Sequence, residues 1–141
     1  MIMFNTLSKL FIFGLISIIF LFSACQTTVT IPNDLSPAEI IQRAHEAMDR
    51  NRFSVATQYY QALYDRNRDN INLVITAEYH IAHIHYKEGN FSQARRGMNG
   101  ILEYYKAPDA MYLPQHFKRL AEIILDNIDE KENQPRHLFR R

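Results

Sequence analysis

A 38-residue repeat constrains this chain more than any single motif in it. The segment Asn51-Arg52-Phe53-Ser54-Val55-Ala56 returns as Asn90-Phe91-Ser92-Gln93-Ala94. In each copy a turn residue precedes an aromatic, serine follows, and alanine comes three positions after the aromatic. Phe53 and Phe91 are 38 apart, as are Ala56 and Ala94, and upstream Ala44 and Ala82; Ala121 follows 39 later. Repetition on this scale marks architectures in which one supersecondary unit buries its apolar face against the next. Small residues at such positions let two helices approach closely, and the aromatics fill the gap between neighbouring pairs. The apolar period is helical. Ile40, Ile41, Ala44, Ala47 and Met48 make one stripe, Ala56, Tyr59, Tyr60, Leu63 and Tyr64 a second, and Leu120, Ala121, Ile124, Leu125 and Ile128 a third.

The first helix has a well-marked start. Ser36 is placed to cap free backbone N–H groups, Pro37 suits the first helical position, and Glu39 completes a capping box. Leu35 and Ile40 stand where a hydrophobic staple needs them.

These repeats resemble tetratricopeptide repeats. The second copy carries the likeness best, with Ile81-Ala82 at the family's Leu-Gly pair, Gly89 at its turn glycine, Phe91 at its turn aromatic and Ala94 at its key alanine. In the first copy Arg43 replaces the apolar residue expected beside Ala44. Family repeats usually run to about 34 residues, so each connection here carries about four or five more. Longer repeats of this kind are similar to those of the BamD-type outer-membrane assembly lipoproteins, which have about twice as many. The resemblance implies an all-α fold: a short stack of two helical hairpins plus a C-terminal capping helix at about Leu113 to Asp129. It also implies a concave groove lined by the first helix of each pair. Matching the family's groove positions places Ile41, His45, Met48 and Asp49 there from the first repeat. Tyr79, His83, Tyr86 and Lys87 come from the second, and Lys118, Glu122 and Leu125 from the last helix. Such a lining suits a peptide segment or a partner helix. The two-cation clamp that some family members use for acidic C-termini is missing, because Ile41 and His45 occupy its first-repeat positions.

The N-terminus reads as a targeting segment rather than part of the fold. Lys9 supplies a positive charge, and Leu10 to Phe22 is almost wholly Leu, Ile and Phe. That run is short of the roughly 20 residues that span a bilayer, and it ends at the small residues Ser23 and Ala24, as a secretory signal does. Leu21-Phe22-Ser23-Ala24-Cys25 resembles the lipobox of bacterial lipoproteins, with Phe22 where the family usually has Leu. The resemblance implies cleavage before Cys25 and acylation of that cysteine. Cys25 is the chain's single cysteine, so it has no disulfide partner within the chain. Gln26 in the next position implies, under the enterobacterial sorting rule, release to the outer membrane. The alternative is an uncleaved signal anchor. The expected organisation is therefore a signal peptide at 1–24, a lipidated tether at 25–35, the helical domain at 36–129 and a polar, basic tail at 130–141.

Composition removes several classes of function. With 16 basic and 15 acidic residues there is no charge excess to attract nucleic acid. His80, His83 and His85 crowd one helix, but their offsets of three and two cannot turn all three toward one ion, whereas metal-binding helical pairs sit four apart. A His45–His83 pair across the groove is conceivable. No Gly-rich phosphate loop, Gly-x-Ser-x-Gly elbow or free nucleophilic cysteine is present. The run Asp126, Asp129, Glu130 and Glu132 reads as a solvated helix end. No catalytic residue, metal or cofactor is expected. Two main functional readings remain: a membrane-tethered adaptor for a protein partner in the cell envelope, and an accessory lipoprotein that binds a small hydrophobic or zwitterionic ligand for uptake; a structural lipoprotein whose helices only self-associate is a third.

Overall fold

The computed structural model describes residues 28–133. The expected signal segment, Cys25 and the last eight residues lie outside them. The fold is all-α, as expected. The helices are α1 (Pro37–Asp49), α2 (Phe53–Arg66), α3 (Ile71–Lys87), α4 (Phe91–Tyr104) and α5 (Gln115–Asn133), with a 3₁₀ turn at Ala110–Tyr112 between the last two. Each packs against its sequence neighbour, and α5 also touches α3. Two hairpins, α1–α2 and α3–α4, therefore stack side by side, with α5 closing the second.

The repeat is visible in the backbone. Helices α2 and α4 begin at Phe53 and Phe91 and are both 14 residues long. The turns before them share one hydrogen-bond pattern. Asn51 N–H donates to Met48 O and Arg52 N–H to Ala47 O; 38 residues on, Gly89 N–H donates to Tyr86 O and Asn90 N–H to His85 O. This is the Schellman closure, which needs one residue in the left-handed region. Asn51 (φ 54°) and Gly89 (φ 78°) supply it. Glycine enters that region freely and asparagine at modest cost.

Ser36 caps α1 as the sequence implies: Glu39 N–H donates to Ser36 Oγ, and Ser36 N–H donates to the Glu39 carboxylate at 2.9 Å. At α3 the cap is Asn70, whose Oδ1 accepts from the Asn72 and Leu73 N–H groups.

Helix α3 is central because it is apolar on two sides. Ile75, Tyr79 and Ala82 face a core shared with α4 and α5, while Ala77, Ile81 and Ile84 face the α1–α2 core. Both sets follow the four-then-three spacing of a helix face. Tyr60, Ile40, Leu63, Ile75 and Ile84 are among the largest fully buried side chains, each contributing about 1.5–3 kcal/mol by leaving water.

Two boundaries differ from expectation. Helix α5 starts at Gln115 rather than Leu113, because Leu113 precedes Pro114 and is extended (ψ 157°), the conformation a following proline imposes. It also runs past Asp129 to Asn133, held by Arg95 of α4, which pairs with Asp129 and Glu132 at 2.6 Å each. That part of the acidic run is an inter-helix ion pair, not merely a solvated end. The described part of the tether is docked as well. Val29 N–H donates to Gln58 Oε1 at 2.9 Å, and the Arg66 guanidinium donates to Ile31 O and Pro32 O. Val29, Ile31 and Leu35 pack on the first core.

Candidate functional site

Helices α1, α3 and α5 share one face, and histidines and aromatics from all three meet there. His80 of α3 is at the middle. Its ring stacks on Tyr60 at 4.6 Å between centroids and 7° between planes. His45 of α1 meets it edge-on at 5.0 Å, Tyr79 at 5.2 Å, and Phe117 of α5 at 6.2 Å. One turn along α3, His83 stacks on Tyr79 at 5.7 Å and on Tyr86 at 6.2 Å. His116 lies against Phe117 at 4.0 Å. The row ends where the Lys131 ammonium stands 5.0 Å from the Tyr86 ring centroid, within cation–π range.

Burial sets the electrostatics of this row. Desolvation drives the His80 pKa down to about 4, helped by the neighbouring His45, His83 and His116. His83 is lowered too, by burial first and by Lys87 second. Burial raises the Tyr60 phenol, and Asp49 adds to it. His80 is therefore neutral near pH 7, and its Nδ1 is buried with no hydrogen-bond partner among the described residues. Among the described residues no three His, Cys, Asp or Glu side chains are grouped to hold a metal ion.

The structure distributes the expected groove residues unevenly. His45 is exposed and sits on the shared face, and His83 and Tyr86 are half-buried on it. Asp49, Lys87, Lys118 and Glu122 are exposed. Ile41 and Met48 are half-buried against the α1–α2 core, with the Tyr60 hydroxyl donating to the Met48 sulfur at 3.9 Å. Tyr79 belongs to the interior: it is 5% exposed, and Phe117 covers it at 4.9 Å between centroids. It supports the face from beneath rather than lining it. The cross-helix histidine pair is His45–His80, not His45–His83. Family positions did not point to His80, Phe117 or Tyr60 as members of this face. The available signal was spacing: position 80 lies one turn before 83, and Phe117 one turn before Ala121.

No family model matches this sequence, and no solved structure matches it. The chain is similar to an uncharacterized protein of Treponema pallidum (strain Nichols), with 32% identity over 127 residues. The match covers 88% of this chain and 50% of that protein, so the chain spans about half the length of its relative. Among the described residues no helix is long and apolar enough to cross a membrane.

Proposed function

We propose that this chain is a membrane-anchored lipoprotein of the cell envelope, facing the periplasm, whose tetratricopeptide-type stack binds a segment of a partner protein. The observation that carries the binding reading is the continuous row of rings on α1, α3 and α5. His45, His83 and Tyr86 are partly or wholly exposed on it, and a neutral His80 lies below with an unpaired Nδ1. Aromatic and imidazole rings above a rigid helical scaffold give a partner helix or peptide apolar contact at low entropic cost. The charges along its edges, among them Lys118 and Glu122, supply register rather than affinity. The small-ligand reading needs an enclosed pocket on this face, whereas the rings here pack against one another.

The anchor reading rests on the run from Leu10 to Cys25. Two or three acyl chains at about 0.8 kcal/mol per buried CH₂ hold a protein at a bilayer almost permanently. Intact mass of the protein from its own membrane tests this. The expected product starts at residue 25 and is heavier by acyl groups, and Cys25→Ser abolishes that mass; an unmodified chain retaining Met1 overturns it. For the binding face, cross-linked recovery from membranes should yield one dominant partner with the natural chain. That partner should be lost with His83→Ala plus Tyr86→Ala while the helical circular dichroism stays unchanged. Equal recovery by both chains removes this face from the proposal.

A further inference from the structure

The docked tether fixes which end of the stack faces the anchor. Ile31 and Pro32 lie against Arg66, the last residue of α2, while Val29 lies against Gln58 in its second turn. The described tether therefore runs antiparallel to α2, with Val29 toward the end where α2 begins. That end carries the α1–α2 turn. The α3–α4 turn lies there too, because Glu88 lines the same cavity as Arg50 and Arg52. Helix α5 finishes there as well, since Lys131 stands over Tyr86 and Phe91. The sequence that follows α5 contains Arg136, Arg140 and Arg141.

A cavity of about 790 Å³ opens at this end, beside Val29 of the tether. Arg43, Arg50 and Arg52 line it together with Glu46, Glu88 and the rings of Phe53 and Tyr59. The Arg50 and Arg52 side chains form no hydrogen bond or ion pair with any described residue, and Arg43 interacts only with Glu39, one turn back. Guanidinium groups without partners, converging on a concave wall, are phosphate-binding chemistry. Three arginines against two glutamates leave the wall with a single net positive charge, which suits a phosphate that carries its own ammonium group better than a polyanion. Cys25 precedes Val29 by four residues, so it lies within about 14 Å of it even when the chain is fully extended.

We propose that this cavity seats the headgroup of a phospholipid from the bilayer in which the protein is anchored. Arg50 and Arg52 take the phosphate, and Glu46 and Glu88 face the amine of an ethanolamine-type headgroup. The stack then stands with its turn end on the membrane and its ring-lined face turned along the normal, open to a periplasmic partner. The orientation rests on the lipoprotein reading above; the site itself does not, because every residue of it belongs to the folded domain.

The test is calorimetric titration of the full chain in detergent with dihexanoyl phosphatidylethanolamine, with dihexanoyl phosphatidylglycerol and inorganic phosphate as parallel arms. Saturable binding of the ethanolamine lipid is expected, weakened about tenfold or more by Arg50→Gln plus Arg52→Gln at unchanged helix content. Both arginines are exposed, so the fold does not depend on them. Equal affinity for inorganic phosphate makes the cavity a site for free anions and overturns the headgroup assignment. Preference for the glycerol lipid overturns the role of Glu46 and Glu88. Binding that is absent, or indifferent to the double substitution, overturns the site. The same titration on Cys25→Ser separates the two ideas: unchanged binding by a protein whose natural form proves unacylated leaves the site standing and removes the membrane orientation.

Discussion

Ala82 and Gly97 bring α3 and α4 into backbone contact: a Cβ placed on Gly97 would stand 2.6 Å from the Ala82 Cβ. Real methyl groups do not approach that closely, so the α3–α4 spacing exists because position 97 has no side chain. Ala82 is 2% exposed, and Met98 and Ile101 beside this contact are fully buried, which leaves the helices no room to part without opening the core.

Two glycines in α4 should therefore respond with opposite signs. Gly97→Ala is expected to destabilise the domain by about 1–2 kcal/mol, since overpacking of about 1–3 kcal/mol exceeds a helix-propensity gain of at most about 1 kcal/mol. Gly100 has nothing within 4 Å of an added Cβ, so Gly100→Ala should stabilise by about 0.5–1 kcal/mol. Urea unfolding of both variants checks this, and Ala82→Gly in the Gly97→Ala background should recover part of the loss. Equal shifts in both single variants would contradict the close contact.

The paired turns give a second sign test. Gly89→Ala forces a Cβ into the left-handed region at φ 78° and should cost about 1–2 kcal/mol. Asn51→Gly at φ 54° should leave stability within about 0.5 kcal/mol of the natural chain, because relief of backbone strain offsets the extra freedom of the unfolded state. Thermal melts of the two proteins decide it.

Stability should depend on His80 in mild acid. Its pKa falls from 6.5 to about 4 on folding, chiefly through burial, so the unfolded chain holds more protons than the folded one between those values. That makes stability complete above about pH 6.5 and lost progressively as pH drops toward 4. The loss is at most about 3.5 kcal/mol at roughly 1.4 kcal/mol per pH unit. His83 acts in the same direction. Replacing His80 with Phe keeps a ring against Tyr60 and removes the titration, so its denaturation midpoint should fall less between pH 6.5 and 4 than that of the natural chain. Parallel pH curves would place the acid sensitivity elsewhere.

The last turn of α5 should depend on Arg95. Its bonds to Asp129 and Glu132 are partly exposed, so Arg95→Met is expected to leave global stability nearly unchanged. Local opening should be affected more: amide exchange at Lys131 to Asn133 should accelerate while that at Ile124 stays slow. Uniform acceleration along α5 would mean that the pair supports the whole helix.

Much of the architecture was legible residue by residue. The Phe53–Phe91 spacing located the starts of α2 and α4, and Ser36, Pro37 and Glu39 located the start of α1. Gly89 and Asn90 located the turn between α3 and α4. Each of these signals is local: capping, proline stereochemistry and the left-handed residue act within one turn of chain. The candidate face was legible in part. The resemblance to tetratricopeptide repeats named His45, His83 and Tyr86 among its groove positions, but it could not separate Tyr79, which Phe117 covers, from Tyr86, which remains half-exposed.

By itself the sequence determined the helices, their order and the repeat that stacks them, because backbone hydrogen bonding and amphipathic period are written along the chain. It also carries Cys25 and the apolar run before it, whose meaning is chemical rather than conformational. Only the tertiary structure decided that His80 lies flat on Tyr60, that Ala82 meets the backbone at Gly97, and that the tether returns along α2 with Val29 beside the cavity lined by Arg50 and Arg52. Those relationships join residues from different helices or from the tether. Their distances depend on how closely side chains of particular volumes let the helices pack, and no single segment of sequence holds that information.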